Sequence, residues 1–101
     1  MSEKGLNDEI AGLLKRVFSK YINVDKAVLF GSRAKGTAQD SSDIDIAVFG
    51  INDDLEIEKI AMDLDELPLP YKFDVKAYNG IRNVALCQHI DRVGITIYKK
   101  T

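Results

Sequence analysis

The sequence has few of the residues on which several common protein chemistries depend. Its single cysteine, Cys87, excludes an internal disulfide and a zinc site built from cysteines, and it fits a reducing compartment. No apolar run approaches the ~20 residues that a membrane span requires, and residues 1–5 contain no apolar signal core. The chain also has no excess of positive charge, because its 14 Lys and Arg residues are outnumbered by 16 Asp and Glu residues. We therefore expect a cytoplasmic protein that does not bind membranes and does not bind nucleic acid directly.

The length and the hydropathy pattern predict one small mixed domain. A chain of 101 residues has room for one core, so a single domain is expected over residues 1–101. Apolar spacings of three and four predict helices, and alternation predicts strands. The predicted order is a helix over 6–21, strands over 24–30 and 43–49, a helix over 55–67 capped by Asp53 or Asp54, a strand over 71–78, a helix over 81–92 and a strand over 95–98. This order predicts the α+β class, with a small mixed β-sheet packed against helices.

Two carboxylates on one face of a predicted strand are the first sign of chemistry. Asp43 and Asp45 alternate with apolar residues, so their Cα atoms should lie ~6.7 Å apart on the same side. Asp is uncommon in strands, and two adjacent like charges repel each other. A cation between them would remove that repulsion, and Mg²⁺ is bound in this way together with substrate phosphates. Two metal ions ~3.5–4 Å apart would also suit the pair.

A third acidic residue, Asp74, lies in the middle of the next predicted strand. If this strand lies beside the one that carries Asp43, their backbones are ~4.8 Å apart and the three carboxylates converge on one site. The alternative interpretation of Asp74 alone is a solvated residue on an exposed sheet face.

A polar turn with features of a phosphate-binding loop follows the first predicted strand. Gly31 permits a tight turn and a close approach to phosphate, and Ser32 is suited to begin a short helix that also carries Arg33. The alternative is an ordinary strand-to-loop turn. The P-loop motif is excluded because Thr37 stands where that motif requires lysine, and the Gly-rich dinucleotide fingerprint is absent.

Taken together, these motifs resemble the nucleotidyltransferase superfamily that includes DNA polymerase β. The resemblance rests on Gly31-Ser32, a gap of ten residues, and Asp43-Ile44-Asp45, followed by a later strand Asp. The local form Gly-Ser-Arg-Ala-Lys-Gly and the late segment Cys-Gln-His-Ile-Asp-Arg-Val-Gly-Ile resemble its minimal members, and the similarity spans residues 6–99.

The resemblance implies a role for each matching residue. Asp43, Asp45 and Asp74 would be catalytic and would bind Mg²⁺, with Mn²⁺ as an alternative, and Asp74 would help to deprotonate the attacking hydroxyl. Gly31 and Ser32 would hold the triphosphate of ATP or another nucleotide, and Arg33 is assigned to the nucleotide as well. The implied reaction is attack of a hydroxyl on the α-phosphorus, with pyrophosphate leaving.

Minimal members of the superfamily also resemble the antitoxin half of HEPN/MNT toxin–antitoxin pairs. This resemblance implies a helical HEPN-domain partner whose tyrosine receives AMP, and a heterocomplex, with a homodimer left open. Two alternatives remain at this point. The chain could neutralise its partner by complex formation alone, or it could modify a small molecule such as an aminoglycoside.

His89 is the only histidine, and the sequence predicts no functional role for it. Within the last predicted helix it lies off the apolar stripe formed by Leu86, Ile90 and Val93. We therefore expect His89 on the surface.

Overall fold

Seven helices and strands and one short 3₁₀ turn make up the part of the chain that the structure describes. The structure is a computed structural model, and it describes residues 8–31, 43–69 and 71–100. The elements in chain order are α1 (Asp8–Ser19), β1 (Lys26–Phe30), β2 (Ile44–Phe49), α2 (Asp54–Asp65), β3 (Phe73–Ala77), the 3₁₀ turn (Tyr78–Gly80), α3 (Val84–Val93) and β4 (Ile95–Lys99). None of the helices in these ranges has the length and apolar character needed to cross a membrane.

The four strands form one mixed sheet in the order β3-β2-β1-β4. β1 is antiparallel to both β2 and β4, whereas β2 and β3 are parallel and are connected through α2. A parallel pair requires a crossover of this kind, and a helix usually supplies it. The structure therefore confirms the predicted α+β class with a small mixed sheet packed against helices.

One face of the sheet carries the main core. Alternation along β1 and β2 directs Leu29, Ile46 and Val48 to this face, where all three are fully buried. α1 and α2 cover them with apolar side chains spaced at helical intervals. These covering residues include Leu14, Phe18, Ile60 and Leu64.

The opposite face has a smaller apolar cluster beneath α3. Val28 and Phe30 from β1 and Ala47 from β2 are buried there against Ile90 of α3. Gly94 ends α3, and its backbone approaches the sheet so closely that a Cβ atom would overlap the Ile90 carbonyl oxygen and a methyl group of Val28. This cluster covers only part of the face.

The helix starts show which local predictions were correct. Asp53 is the N-cap of α2, as one of the two predicted caps, and its side chain accepts a hydrogen bond from the Leu55 N–H at 2.9 Å. The prediction that α3 begins at position 81 was wrong. A 3₁₀ turn takes up Tyr78–Gly80, and Asn83 caps the helix by accepting from the Leu86 N–H at 3.1 Å.

The tight packing at Gly94 gives a stability prediction with an internal control. Gly94→Ala is expected to lower the free energy of unfolding by about 1–3 kcal/mol, because the added methyl group must displace backbone and Val28. Gly12→Ala, in the exposed middle of α1 with nothing within 4 Å, is expected to raise it by about 0.5–1 kcal/mol. Urea denaturation of both variants measures the difference. Equal stability of Gly94→Ala and the wild type would contradict the packing described for α3.

Candidate active site

The sheet brings the three predicted carboxylates, Asp43, Asp45 and Asp74, near one another. Asp43 directly precedes β2 and Asp45 lies within it, so the two are on the same side of the strand. β3 is the parallel neighbour of β2, and its register pairs Asp74 with Asp45. The condition for convergence, adjacency of the two Asp-bearing strands, is therefore met. Asp43 and Asp74 are exposed, whereas Asp45 is half-buried.

Asp45 is the electrostatic centre of this group. Its pKa is raised above the ordinary value, first by burial and then by the negative charges of Asp74 and Asp43. Lys76 acts in the opposite direction from the same face of β3, where its Nζ lies 3.6 Å from Oδ1 of Asp74. A carboxylate whose charge is disfavoured by its neighbours is one that gains from a bound cation.

Gly31 forms the wall of the site next to Asp45. It follows Phe30, which is paired with Asp45 across β1 and β2, and it adopts a φ of 81° that favours glycine. A Cβ atom at this position would overlap the Asp45 carboxylate. Glycine is therefore required at position 31 for two reasons: its φ disfavours other residues, and a side chain would collide with the Asp45 carboxylate.

His89 reaches the same turn from α3, which corrects the prediction that it lies free on the surface. The Gly31 N–H donates a hydrogen bond to Nε2 of His89 at 3.3 Å, and the ring is half-buried. The imidazole and the Phe30 ring also form a T-shaped pair, with ring centroids 6.4 Å apart and planes at 79°. Helical periodicity could not indicate this contact, because it depends on the end of β1, 58 residues earlier in the chain.

Two predicted nucleotide-binding residues, Ser32 and Arg33, lie outside the described residues, as does the short helix expected to start at Ser32. Their roles stay predictions. The same holds for phosphate binding by Gly31, whose N–H donates to His89 in this structure.

The donor set fits a hard metal ion that is held jointly by protein and substrate. Across residues 8–31, 43–69 and 71–100, no three His, Cys, Asp or Glu side chains are arranged to hold a metal ion by themselves. Mg²⁺ generally needs only one or two carboxylates when substrate phosphates and water complete its shell. The oxygen donors of Asp43 and Asp45 match that mode. The metal-binding roles of Asp43, Asp45 and Asp74 stay predictions.

A sheet of this topology with paired strand carboxylates agrees with the family to which the sequence can be assigned. Residues 13–101 match the family described as Polymerase beta, Nucleotidyltransferase, so the chain belongs to that family. No curated protein sequence matches the chain at a significant level.

Several solved structures share this fold. A chain in a crystal structure of a toxin–antitoxin with AMP-PNP superposes with a TM-score of 0.75 at 23% sequence identity, over 90% of this chain and 74% of that one. A chain in the toxin–antitoxin MntA-HepT gives 0.70 at 20% identity, over 93% and 74%. The tri-AMPylated Shewanella oneidensis HEPN toxin in complex with MNT antitoxin contains a chain that gives 0.69 at 19% identity, over 91% and 71%. The fold is that of a minimal nucleotidyltransferase, as the sequence resemblance implied.

The coupling among the carboxylates predicts a shift in the titration of Asp45. Asp74→Asn removes a neighbouring negative charge, so the pKa of Asp45 is expected to fall toward its ordinary value, whereas Lys76→Met is expected to raise it further. Metal-free NMR titration of the Asp45 carboxyl carbon measures both shifts. Asp65→Asn, an exposed change on α2, serves as the control. An unchanged Asp45 pKa in Asp74→Asn would contradict the proximity of the two groups.

The raised pKa of Asp45 also predicts a pH-dependent stability. The native state holds the Asp45 proton more tightly than the unfolded state does. The contribution of Asp45 to the free energy of unfolding therefore falls as pH rises from below the unfolded pKa, about 3.9, through the raised native pKa. Asp45→Asn is thus expected to stabilise the protein at pH 7 and to leave its stability unchanged well below pH 3. Urea denaturation at the two pH values measures this, and destabilisation by Asp45→Asn at pH 7 would contradict it.

Proposed function

We propose that this protein is a Mg²⁺-dependent nucleotidyltransferase that moves AMP from ATP to a hydroxyl group. The proposed acceptor is a tyrosine of a helical HEPN-domain partner, which the protein silences as an antitoxin. The observation that carries the proposal is the in-register pairing of Asp45 with Asp74, beside a glycine at which any Cβ atom would overlap the Asp45 carboxylate.

The carboxylates divide two tasks in the proposed reaction, metal binding and proton transfer. Asp43 and Asp45 would hold the metal ion, with Mn²⁺ as an alternative, and Asp74 would complete the site and accept the proton of the attacking hydroxyl. The hydroxyl oxygen forms a bond to the α-phosphorus, the bond from that phosphorus to the oxygen bridging to the β-phosphate breaks, and pyrophosphate leaves. Bound Mg²⁺ supplies charge neutralisation for the triphosphate. The protein contributes mainly positioning and electrostatic stabilisation.

The position of Asp74 supports an acceptor that comes from another macromolecule. β3 is an edge strand of the sheet, and Asp74 is exposed on it. A hydroxyl on a partner surface can therefore approach Asp74 from outside the domain, without entering an enclosed cavity. The half-buried Asp45 lies one strand further in, which suits a residue that holds the metal ion of the nucleotide and does not contact the acceptor.

The nucleotide and the partner are proposed from the proteins that this chain resembles in fold. One of those structures contains AMP-PNP, an analogue of ATP, and another contains an AMPylated HEPN toxin with an MNT antitoxin. These proteins support ATP as the donor and a HEPN-domain protein as the partner here. Ser32 and Arg33 are proposed to contact the nucleotide. A heterocomplex is proposed as the working assembly.

The decisive experiment uses ATP labelled at the α-phosphate, with Mg²⁺ and a lysate of the source organism. The wild-type protein is expected to label a protein band of partner size, and Asp43→Asn/Asp45→Asn is expected to reduce that label by about 10²-fold or more. Asp65→Asn, which removes an exposed carboxylate of α2, should label as well as the wild type does. Chelation with EDTA should abolish the label.

Other outcomes have definite meanings. Undiminished label with the double variant would refute catalysis by these carboxylates. No label in any fraction, together with a stable complex on pull-down, would favour neutralisation by binding alone. Label on a small molecule with the purified chain would favour a small-molecule transferase.

A further inference from the structure

We propose that His89 is a positioning residue that fixes Gly31 against the Asp45 carboxylate, an inference that rests on the proposed transferase function. The imidazole accepts the Gly31 N–H through Nε2 at 3.3 Å. An Nε2 that accepts a hydrogen bond belongs to a neutral ring with its proton on Nδ1. His89 itself acts through Gly31 and does not belong to the carboxylate group.

The helix that carries His89 is well anchored, so its imidazole has a defined position. The next residue, Ile90, is buried against Val28, Phe30 and Ala47. Asn83 caps the helix at its start, and the close approach of Gly94 to the sheet ends it. The imidazole packs in a T-shaped pair with Phe30, the residue before Gly31. α3 thus holds a hydrogen-bond acceptor at the point where β1 ends.

The hydrogen bond matters because Gly31 has conformational freedom that would otherwise be costly to restrain. Glycine populates many backbone conformations, and here it must keep a φ of 81° with its backbone directly against Asp45. The hydrogen bond from the Gly31 N–H to His89 restrains that conformation. Through this restraint Gly31 contributes its shape to the site and keeps its place beside Asp45.

This role predicts a change in turnover more than in nucleotide affinity. A loosened Gly31 allows Asp45 to leave its productive position, and small misplacements of a catalytic group lower kcat strongly. We expect loss of the His89 hydrogen-bond acceptor to lower kcat about tenfold and to change KM for ATP by less than about threefold. The rival interpretation is that His89 only packs against Phe30.

Two substitutions separate these interpretations. His89→Gln keeps a hydrogen-bond acceptor at a similar distance along the side chain but loses the ring. His89→Phe keeps the ring against Phe30 but loses the acceptor. If His89 is a positioning residue, the Gln variant retains kcat within about twofold of the wild type and the Phe variant shows the tenfold loss. If it only packs, the Phe variant is active and the Gln variant is impaired.

A second measurement tests the contact without any nucleotide. Hydrogen exchange followed by NMR is expected to show a protected Gly31 amide in the wild type and in His89→Gln, and exchange at least tenfold faster in His89→Phe. The amide of Ile46 in the central strand β2 serves as the control and should not change. A long-range ¹H–¹⁵N spectrum of the wild type should show Nε2 without a proton.

The two measurements distinguish failure of this inference from failure of the proposed function. A wild-type protein that transfers no label, yet shows the expected exchange pattern, removes the transferase proposal and leaves the contact intact. An active wild type with an equally active Phe variant overturns the positioning role alone. Equal impairment of both variants, or equal Gly31 exchange in both, also overturns the positioning role. That role requires the hydrogen-bond acceptor of His89→Gln to restore what His89→Phe loses.

Discussion

The register of β2 is the constraint on which the rest of the site depends. β2 is paired on both sides, and this double pairing sets Phe30 and Asp74 opposite Asp45. A slip of one residue would turn Asp45 toward the face covered by α1 and α2 and would expose the apolar residues on either side of it. The free energy gained by burying those residues therefore holds the carboxylate in place. Stability and site geometry share one cause.

The two faces of the sheet divide the tasks of folding and chemistry. The face beneath α1 and α2 carries the larger core, whereas α3 covers only part of the other face and leaves the carboxylates at its border. There the half-buried Asp45 is destabilised in its charged form by burial and by two like charges. This arrangement makes the charged form of Asp45 unfavourable and does not help the fold. Unfavourable electrostatics of this kind are typical of functional sites.

Local patterns in the sequence predict the α+β class, a strand ending at Phe49 that contains Asp45, and a helix cap at Asp53 or Asp54, of which the structure has Asp53. These features depend on alternation and capping within a few residues. The start of α3 was predicted wrongly, at position 81, because the periodicity of the apolar residues does not show that Asn83 is the cap that starts the helix at Val84. The contact of His89 with Gly31 was missed because it joins distant parts of the chain. The roles of the acidic residues and of Ser32 and Arg33 stay predictions.

The strand order also bears on how the protein is made. β1 lies between β2 and β4, and β4 is the last of the four strands to be synthesised. Until β4 has left the ribosome, one edge of β1, with its apolar residues, has no partner strand. Unpaired strand edges of this kind bind other chains, so the nascent protein passes through an aggregation-prone interval. Completion of the sheet therefore waits for the synthesis of β4, and chaperones that shield strand edges would act on this interval.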